Sequence, residues 1–186
     1  MLKVITGLGR SGTSCLAGYC KMLGYDMGDM WFNDINAGYE STESISINQD
    51  IKCAIENGMW SSSVFKDRIS SIKGPIIKDP RFTWDIPCLI ETWMHARSIK
   101  FVVSSRDHSS VVSSKVACNA TSLRSIEECD NTFSNFINRL DDCGVDYNVL
   151  IFPDYLYDHD SVCDALEIEG DLDIWNSWVD FEKVHY

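Results

Sequence analysis

The sequence is poor in positive charge. Its 186 residues include 16 lysines and arginines against 28 aspartates and glutamates, which gives a formal net charge of −12. A protein that binds nucleic acid or an anionic membrane presents a basic face to its partner, so this balance argues against both partners. Any local group of cations in such an acidic chain is therefore informative.

Long apolar runs and metal-type cysteine pairs are also missing. No stretch approaches the length that spans a bilayer, and no charged leader with a cleavage site opens the chain. The eight cysteines form no C-x-x-C pair, and the four histidines do not cluster beside them, which argues against a metal site. We interpret the cysteines as small buried hydrophobes in a reducing compartment, and we expect an intracellular, cytoplasmic protein.

No repeat, linker or low-complexity segment divides the chain, which predicts one domain over residues 1–186. Short apolar segments alternate with helical patterns, and there is no hairpin signal. Strands are predicted over residues 4–6, 75–78, 99–104 and 147–152, and helices over 12–23, 44–57, 62–72, 82–97, 109–117, 122–142 and 161–168. The alternation predicts an α/β fold with a central, mostly parallel sheet of four to five strands and helices on both faces, as in P-loop NTPases. Residues 25–41 are expected to be irregular.

A glycine-rich turn follows the first predicted strand. Residues 7–14 read Gly-Leu-Gly-Arg-Ser-Gly-Thr-Ser, and an apolar helical pattern begins directly after them. In a strand–turn–helix unit the loop amides and the first amides of the helix converge on one point, where the helix dipole adds positive charge. This turn is expected to bind an anion, most simply a phosphate.

Two known patterns overlap at this turn. The spacing Gly7-x-Gly9-x-x-Gly12 matches the dinucleotide fingerprint, which also requires an acidic residue at the end of a second strand. Asp26 and Asp29 lie at a suitable distance, but the segment around them carries no strand signal. This pattern alone is weak evidence for a dinucleotide.

The second pattern is the phosphate loop G-x4-G-K-[ST], which here runs from Gly7 to Ser14 without its lysine. An NTPase needs that charge at the β and γ phosphates, so an ordinary ATP or GTP enzyme is disfavoured. Arg10, inside the loop, is a possible alternative source of the charge.

The sequence Arg10-Ser-Gly-Thr-Ser14 resembles the phosphate loop of sulfotransferases that use 3′-phosphoadenosine 5′-phosphosulfate (PAPS). In that family the loop holds the 5′-phosphosulfate. The resemblance implies the following cofactor-binding residues in the loop: Gly9, Arg10, Ser11, Gly12, Thr13 and Ser14.

Cations also follow the next two predicted strands. Lys78 and Arg81 come after the second strand, and Arg106 comes after the third. Because the carboxyl ends of parallel strands meet at one edge of a sheet, these cations and Arg10 are expected to form one electropositive crevice.

Arg106 and Ser114, eight residues apart, are similar to the 3′-phosphate site of the sulfotransferases. Physically, a guanidinium grips phosphate oxygens at two points and a hydroxyl completes the shell. The segment Lys78-Asp-Pro80 resembles the Lys-Asp-Pro segment of tyrosylprotein and bacterial sulfotransferases, whose lysine contacts the bridging oxygen and the sulfuryl group. The resemblance therefore implies that Lys78 is catalytic.

A further residue is needed as the catalytic base, which takes the proton from the acceptor's hydroxyl or amine. In cytosolic sulfotransferases it is a histidine, and the matching position here is Pro80. Residues 36–40, Asn-Ala-Gly-Tyr-Glu, look like a Gly-aromatic-Glu segment of bacterial relatives, which implies Glu40 as the catalytic base and leaves Glu43 as the fallback. His108 is interpreted as a capping or surface residue.

The resemblance implies sulfuryl transfer from PAPS to a hydroxyl or amine, without a metal. Two alternatives stay open: a P-loop nucleotide or small-molecule kinase, in which Asp79 serves as a magnesium ligand, and a sulfotransferase-like domain that binds PAPS without activity. The acceptor, whether small molecule, glycan or peptide, is not identified by the sequence. The candidate pocket residues are Met27, Met30, Trp31, Phe32 and Trp60.

Overall fold

The computed structural model describes residues 1–32, 38–120 and 122–179, without the side chains of Trp31 and Phe32. Asn36 and Ala37 of the segment before Glu40 lie outside these residues. The strands are β1 (Leu2–Thr6), β2 (Met30–Phe32), β3 (Gly38–Ser41), β4 (Ile76–Lys78), β5 (Ile99–Arg106) and β6 (Tyr147–Phe152). The helices are α1 (Thr13–Met22), α2 (Thr42–Glu56), α3 (Ser62–Ser71), α4 (Leu89–Ala96), α5 (His108–Ala117), α6 (Ile126–Asp142), α7 (His159–Leu166) and α8 (Leu172–Trp178).

A four-stranded, all-parallel sheet forms the centre of the molecule, in the order β4-β1-β5-β6. Val4 in β1 pairs with Ile77 on one side and with Phe101 on the other. Helices flank this sheet, so the predicted single-domain α/β architecture is confirmed and is consistent with a P-loop-like fold. The connection from β4 to β5 crosses β1, which places the carboxyl end of β1 where α/β proteins bind ligands.

The sheet is buried on both faces because apolar side chains of alternating orientation fill two separate cores. On one face Val4 and Phe101 pack with the apolar sides of α2, α3, α4 and α6. On the other face Ile5 and Val102 pack with α1, α7 and α8. Burial on both faces explains why β1 and β5 read as continuous apolar runs rather than as alternating ones.

The expectation that residues 25–41 are irregular is wrong in part. The expectation that no antiparallel strand pair forms is also wrong. Strands β2 and β3 pair antiparallel, with Met30 opposite Ser41 and Trp31 opposite Glu40. Both strands are short and lack an alternating pattern, so their pairing has no local signature. The pair matters for function because it fixes the position of Glu40.

The helix predicted over residues 82–97 is also shorter than expected. A 3₁₀ turn covers Pro80–Thr83, and α4 starts only at Leu89. The Asp79 side chain caps the turn by accepting from the Arg81 amide, and Pro87 lies in a second turn directly before α4. In the tryptophan-bearing tail, where no helix was predicted, α8 packs Trp175 into the core.

The interpretation of the cysteines as buried hydrophobes holds only for Cys20 and Cys129; Cys53 and Cys118 are exposed. All eight thiols are free. Within the described ranges no helix is both long and apolar enough to span a bilayer.

Replacing the core residue Phe101 tests the packing of β5. Its buried ring lies 5.2 Å from the ring of Phe82 and 5.9 Å from that of Phe136. Phe101→Ala is expected to lower the free energy of unfolding by about 3–5 kcal/mol, because it leaves a cavity under the sheet. Val116→Ala, at an exposed site of α5, should change it by less than about 0.5 kcal/mol. Chemical denaturation measures both, and equal effects would contradict the assigned core.

Candidate functional site

The carboxyl ends of β1, β4 and β5 enclose a cavity of about 200 Å³, which we call the loop cavity. Its lining residues are Gly9, Arg10, Gly12, Thr13, Ser14, Glu40, Lys78, Pro80, Arg106 and Phe152. The fold thus brings together Arg10, Lys78 and Arg106 from three separate strand ends, whereas Arg81, also expected in this crevice, lines a neighbouring cavity. Ser11 and Ser114 are not part of this lining.

The glycine-rich loop takes a tight conformation. Gly12 has a φ of 93°, and a Cβ at this position would overlap the Tyr155 hydroxyl and the Phe152 ring, so only glycine fits. Arg10 has a φ of 80°, a left-handed conformation that a residue with a side chain rarely adopts. Tyr155 donates to the Gly12 carbonyl at 2.9 Å and the Ser104 hydroxyl donates to the Ser11 carbonyl. These two hydrogen bonds satisfy the carbonyls of Gly12 and Ser11 within the protein.

Gly12 is the N-cap of α1 and supplies no side-chain cap. The amides of Thr13 and Ser14 therefore have no acceptor within the helix. Together with the positive end of the helix dipole, they favour an anion in the loop cavity.

Ser11, a predicted cofactor-binding residue, lies beneath the loop. It is fully buried, its amide donates to the Leu8 carbonyl at 3.1 Å, and its hydroxyl has no hydrogen-bond partner in the described part of the chain. Because Ser11 does not line the cavity, its position supports a role in shaping the loop.

Arg10 and Arg106 lie together at one end of the loop cavity. Arg10 Nε donates to Ser114 Oγ at 2.9 Å, which joins the predicted 5′ and 3′ phosphate sites. The Arg106 guanidinium lies 5.1 Å from the centre of the Phe152 ring, and its Nη1 is 3.4 Å from the Arg10 carbonyl. Burial, together with the charge of Arg10, lowers the pKa of Arg106. An anion bound between the two guanidiniums would relieve this repulsion.

Lys78 also lines the loop cavity and is 2% exposed. Its Nζ donates to the Gly38 carbonyl at 2.7 Å and to Ser14 Oγ at 3.0 Å, and lies 3.7 Å from Glu40 Oε1. Burial lowers the pKa of Lys78 to about 8, although Glu40 and Asp79 act in the opposite direction. The ammonium is thus fixed against the loop.

Glu40, the predicted base, borders the loop cavity beside Lys78 and is mostly buried. Arg81 Nη1 donates to Glu40 Oε2 at 2.8 Å, so the carboxylate is oriented from both sides. Glu43, the fallback, does not line the cavity; its Oε1 accepts from the Ser71 hydroxyl at the surface. The geometry therefore favours Glu40 over Glu43.

Asp79 is fully buried, and donors of the protein engage both of its carboxylate oxygens. Oδ2 accepts from Ser44 and Asn48, at 3.0 and 2.9 Å, while Oδ1 accepts from the amide and Nη1 of Arg81. Burial raises the pKa of Asp79, and these donors oppose the shift. A carboxylate engaged in this way ties α2 to the 3₁₀ turn, which speaks against the alternative role of a magnesium ligand.

The predicted pocket residues whose side chains the structure describes, Met27, Met30 and Trp60, do not line the loop cavity. Met27 is buried in the core and Met30 packs against that core. Trp60 donates its indole N–H to Thr92 Oγ1 at 3.1 Å, away from the loop. The side chains of Trp31 and Phe32 lie outside the described residues. His108 contacts Asp130, in keeping with a surface role.

A second cavity, of about 470 Å³, adjoins the first, and we call it the outer cavity. The two share Gly9, Glu40 and Pro80. The outer cavity adds Trp84 and Lys115, which the sequence analysis missed. Neither belongs to a recognised motif, and their approach to the loop depends on how α5 and the 3₁₀ turn pack on the sheet.

No protein family with a known sequence profile matches the chain, and a search of curated proteins finds no significant relative. Over residues 1–32, 38–120 and 122–179, no three His, Cys, Asp or Glu side chains are grouped as metal ligands would be. The residues of the two cavities are therefore the basis on which a function is inferred.

The burial of Lys78 predicts a specific pH dependence of stability. Its pKa of about 8 in the folded protein lies below the ordinary value of 10.5, so between these values the unfolded chain binds more protons. The contribution of Lys78 to the free energy of unfolding should therefore rise with pH over this window, by about 3 kcal/mol in total.

Denaturation of the parent protein and of Lys78→Met from pH 7 to pH 10.5 measures this contribution. The difference in unfolding free energy between the two proteins, parent minus variant, should grow as the pH rises. Parallel stability curves would contradict the lowered pKa.

Proposed function

We propose that the protein is a PAPS-dependent sulfotransferase that moves a sulfuryl group to a hydroxyl or amine acceptor. One observation carries the proposal: Arg10, Lys78 and Arg106 come from three distant parts of an acidic chain and line one cavity around a glycine-rich turn. These three cations outnumber the single carboxylate that the described residues contribute to the lining, that of Glu40, and a bound anion would offset the excess positive charge. PAPS carries anionic groups at both its 3′ and 5′ positions.

The residues of the loop cavity fit the phosphates of this donor, together with Ser114, which lies outside the lining but is hydrogen-bonded to Arg10. The amides of Thr13 and Ser14, with Arg10, would hold the 5′ group, and Arg106 with Ser114 would hold the 3′-phosphate. The hydrogen bond from Arg10 to Ser114 supports this division, because it keeps the two groups within reach of one nucleotide. When bound, PAPS supplies a sulfuryl group on a phosphate leaving group.

Lys78 and Glu40 are the candidate catalytic residues. Lys78, held by Ser14 and Gly38, would neutralise negative charge on the leaving oxygen beside the loop. Glu40 would accept the proton of the acceptor hydroxyl or amine. Arg81 orients Glu40 through a 2.8 Å hydrogen bond, so it acts as a positioning residue.

A kinase is less well supported. The loop has no lysine at its usual position, and protein donors already engage both oxygens of Asp79. A PAPS-binding domain without activity would have the same loop cavity. Only a measurement of turnover distinguishes it from an enzyme.

Ligand binding tests the phosphate assignments. Calorimetry should show binding of 3′-phosphoadenosine 5′-phosphate (PAP), and thermal stabilisation by PAP should exceed that by ATP with magnesium or by NADP. Arg106→Ala should weaken PAP binding by about 1.5–3 kcal/mol, since a charge-assisted hydrogen bond is lost. Arg68→Ala, which breaks an exposed ion pair with Asp50, is the control and should leave the affinity unchanged. Equal affinities of Arg106→Ala and the parent would refute the 3′-phosphate site.

Turnover tests the catalytic roles. Release of PAP from PAPS is followed over a panel of phenols, amines and sugars. Lys78→Ala and Glu40→Gln should each lower the rate constant by roughly 10²-fold or more, while PAP affinity changes little, because both act on the reacting groups. Full activity of Lys78→Ala would contradict the catalytic role of Lys78. PAP binding without turnover on any acceptor would favour the PAPS-binding domain without activity.

A further inference from the structure

The outer cavity contains a buried cation that the sulfotransferase assignment leaves unexplained. Lys115, in the last turn of α5, is only 8% exposed and lines the outer cavity but not the loop cavity. An ideal Cβ on Gly9 would lie 3.5 Å from its Nζ, so the ammonium is directly beside the glycine-rich turn.

Lys115 differs from the other buried lysines in its partners. Lys100 lies 2.7 Å from a carboxylate oxygen of Glu167, and Lys78 lies 3.7 Å from Glu40. Lys115 has no carboxylate within 4.0 Å in the described ranges, and its Nζ meets only the hydroxyl of Ser122, at 3.5 Å. The chain has 28 acidic residues, so a missing counter-ion at a buried lysine is unusual.

The nearby groups do not replace the counter-ion. Burial raises the pKa of the Cys129 thiol, so this group is neutral at pH 7. Arg10 adds repulsion, and burial is the main cause of the lowered pKa of Lys115. The C-terminal end of α5 favours a cation, but it does not offset the burial.

The rest of the outer cavity has a mixed electrostatic character. The Trp84 ring forms an apolar wall of this cavity. Lys52 Nζ and Arg81 Cζ lie 5.4 and 5.7 Å from the ring centre, so the wall is flanked by cations. The acidic residues in the lining are Glu40, which is paired with Arg81, and the exposed Asp85. Lys115 is therefore the charge in this cavity that most needs an external partner.

We propose that the outer cavity receives the acceptor and that Lys115 binds an anionic group on it, such as a carboxylate, phosphate or sulfate ester. This inference rests on the proposed sulfuryl transfer, because Glu40 is the candidate base and borders both cavities. An acceptor seated in the outer cavity presents its hydroxyl or amine at Glu40 and its anionic group at Lys115, while the donor phosphates remain in the loop cavity.

The competing source of the anion is the 3′-phosphate of the donor, and saturation with PAP separates the two. PAP-loaded protein is titrated with inorganic phosphate while the amide signal of Gly9 and the indole N–H signal of Trp84 are followed by NMR. Phosphate should bind to the loaded parent protein, and Lys115→Met should weaken it by about tenfold or more. PAP affinity of this variant should stay within about twofold of the parent.

Two variants control the experiment. Lys100→Met removes an equally buried lysine at the far end of β5 and should leave phosphate binding unchanged. Lys115→Arg keeps the charge and should retain binding. Lys115→Gln removes the charge but keeps a polar side chain, and it repeats the test if the methionine variant does not fold.

Three results would overturn the inference. They are no phosphate binding to the loaded parent protein, phosphate binding that does not change in Lys115→Met, and a loss of PAP affinity in Lys115→Met comparable to that in Arg106→Ala. The last result would assign Lys115 to the donor. If the parent protein does not bind PAP at all, the proposed function fails before phosphate is added, and the inference fails with it.

Discussion

The buried carboxylate of Asp79 is the interaction on which the candidate site depends. It joins three parts of the chain: the end of β4, helix α2 through Ser44 and Asn48, and the 3₁₀ turn through Arg81. Asn48 in turn accepts from the Trp93 indole at 2.8 Å, which extends the network into the core. Because a buried carboxylate without donors is strongly unfavourable, these contacts fix one arrangement of the elements around it. Arg81 then orients Glu40 and leaves it beside Lys78.

The site also shows how an acidic protein collects positive charge at one point. The surface is dominated by negative charge, so the overall field opposes an approaching phosphate. The fold offsets this field locally by placing Arg10, Lys78 and Arg106 at one sheet edge, with Lys115 behind the loop. In a partly buried cavity each of these charges acts more strongly than it would at the surface.

Local patterns predicted the elements that depend on local chemistry. Strand β6 has the predicted bounds, and the predicted ends of β4 and β5 differ from the observed ones by one or two residues, because β-branched apolar runs are a strong strand signal. Pairing of β2 with β3 was not predictable, since the two strands have only three and four residues and neither alternates. The 3₁₀ turn at Pro80–Thr83 was missed because its cap comes from the side chain of Asp79, a residue first considered as a metal ligand.

By itself, the sequence determined the α/β class, the glycine-rich turn at residues 7–14 and the identity of the cations that follow the strands. These features depend on the order of residues along the chain. Only the tertiary structure decided which of the predicted residues line a cavity, that Ser11 lies beneath the loop and that Glu40 rather than Glu43 reaches Lys78. It also brought Lys115 next to Gly9, because contacts between distant segments are set by how helices and turns pack on the sheet, and no short pattern in the sequence encodes that distance.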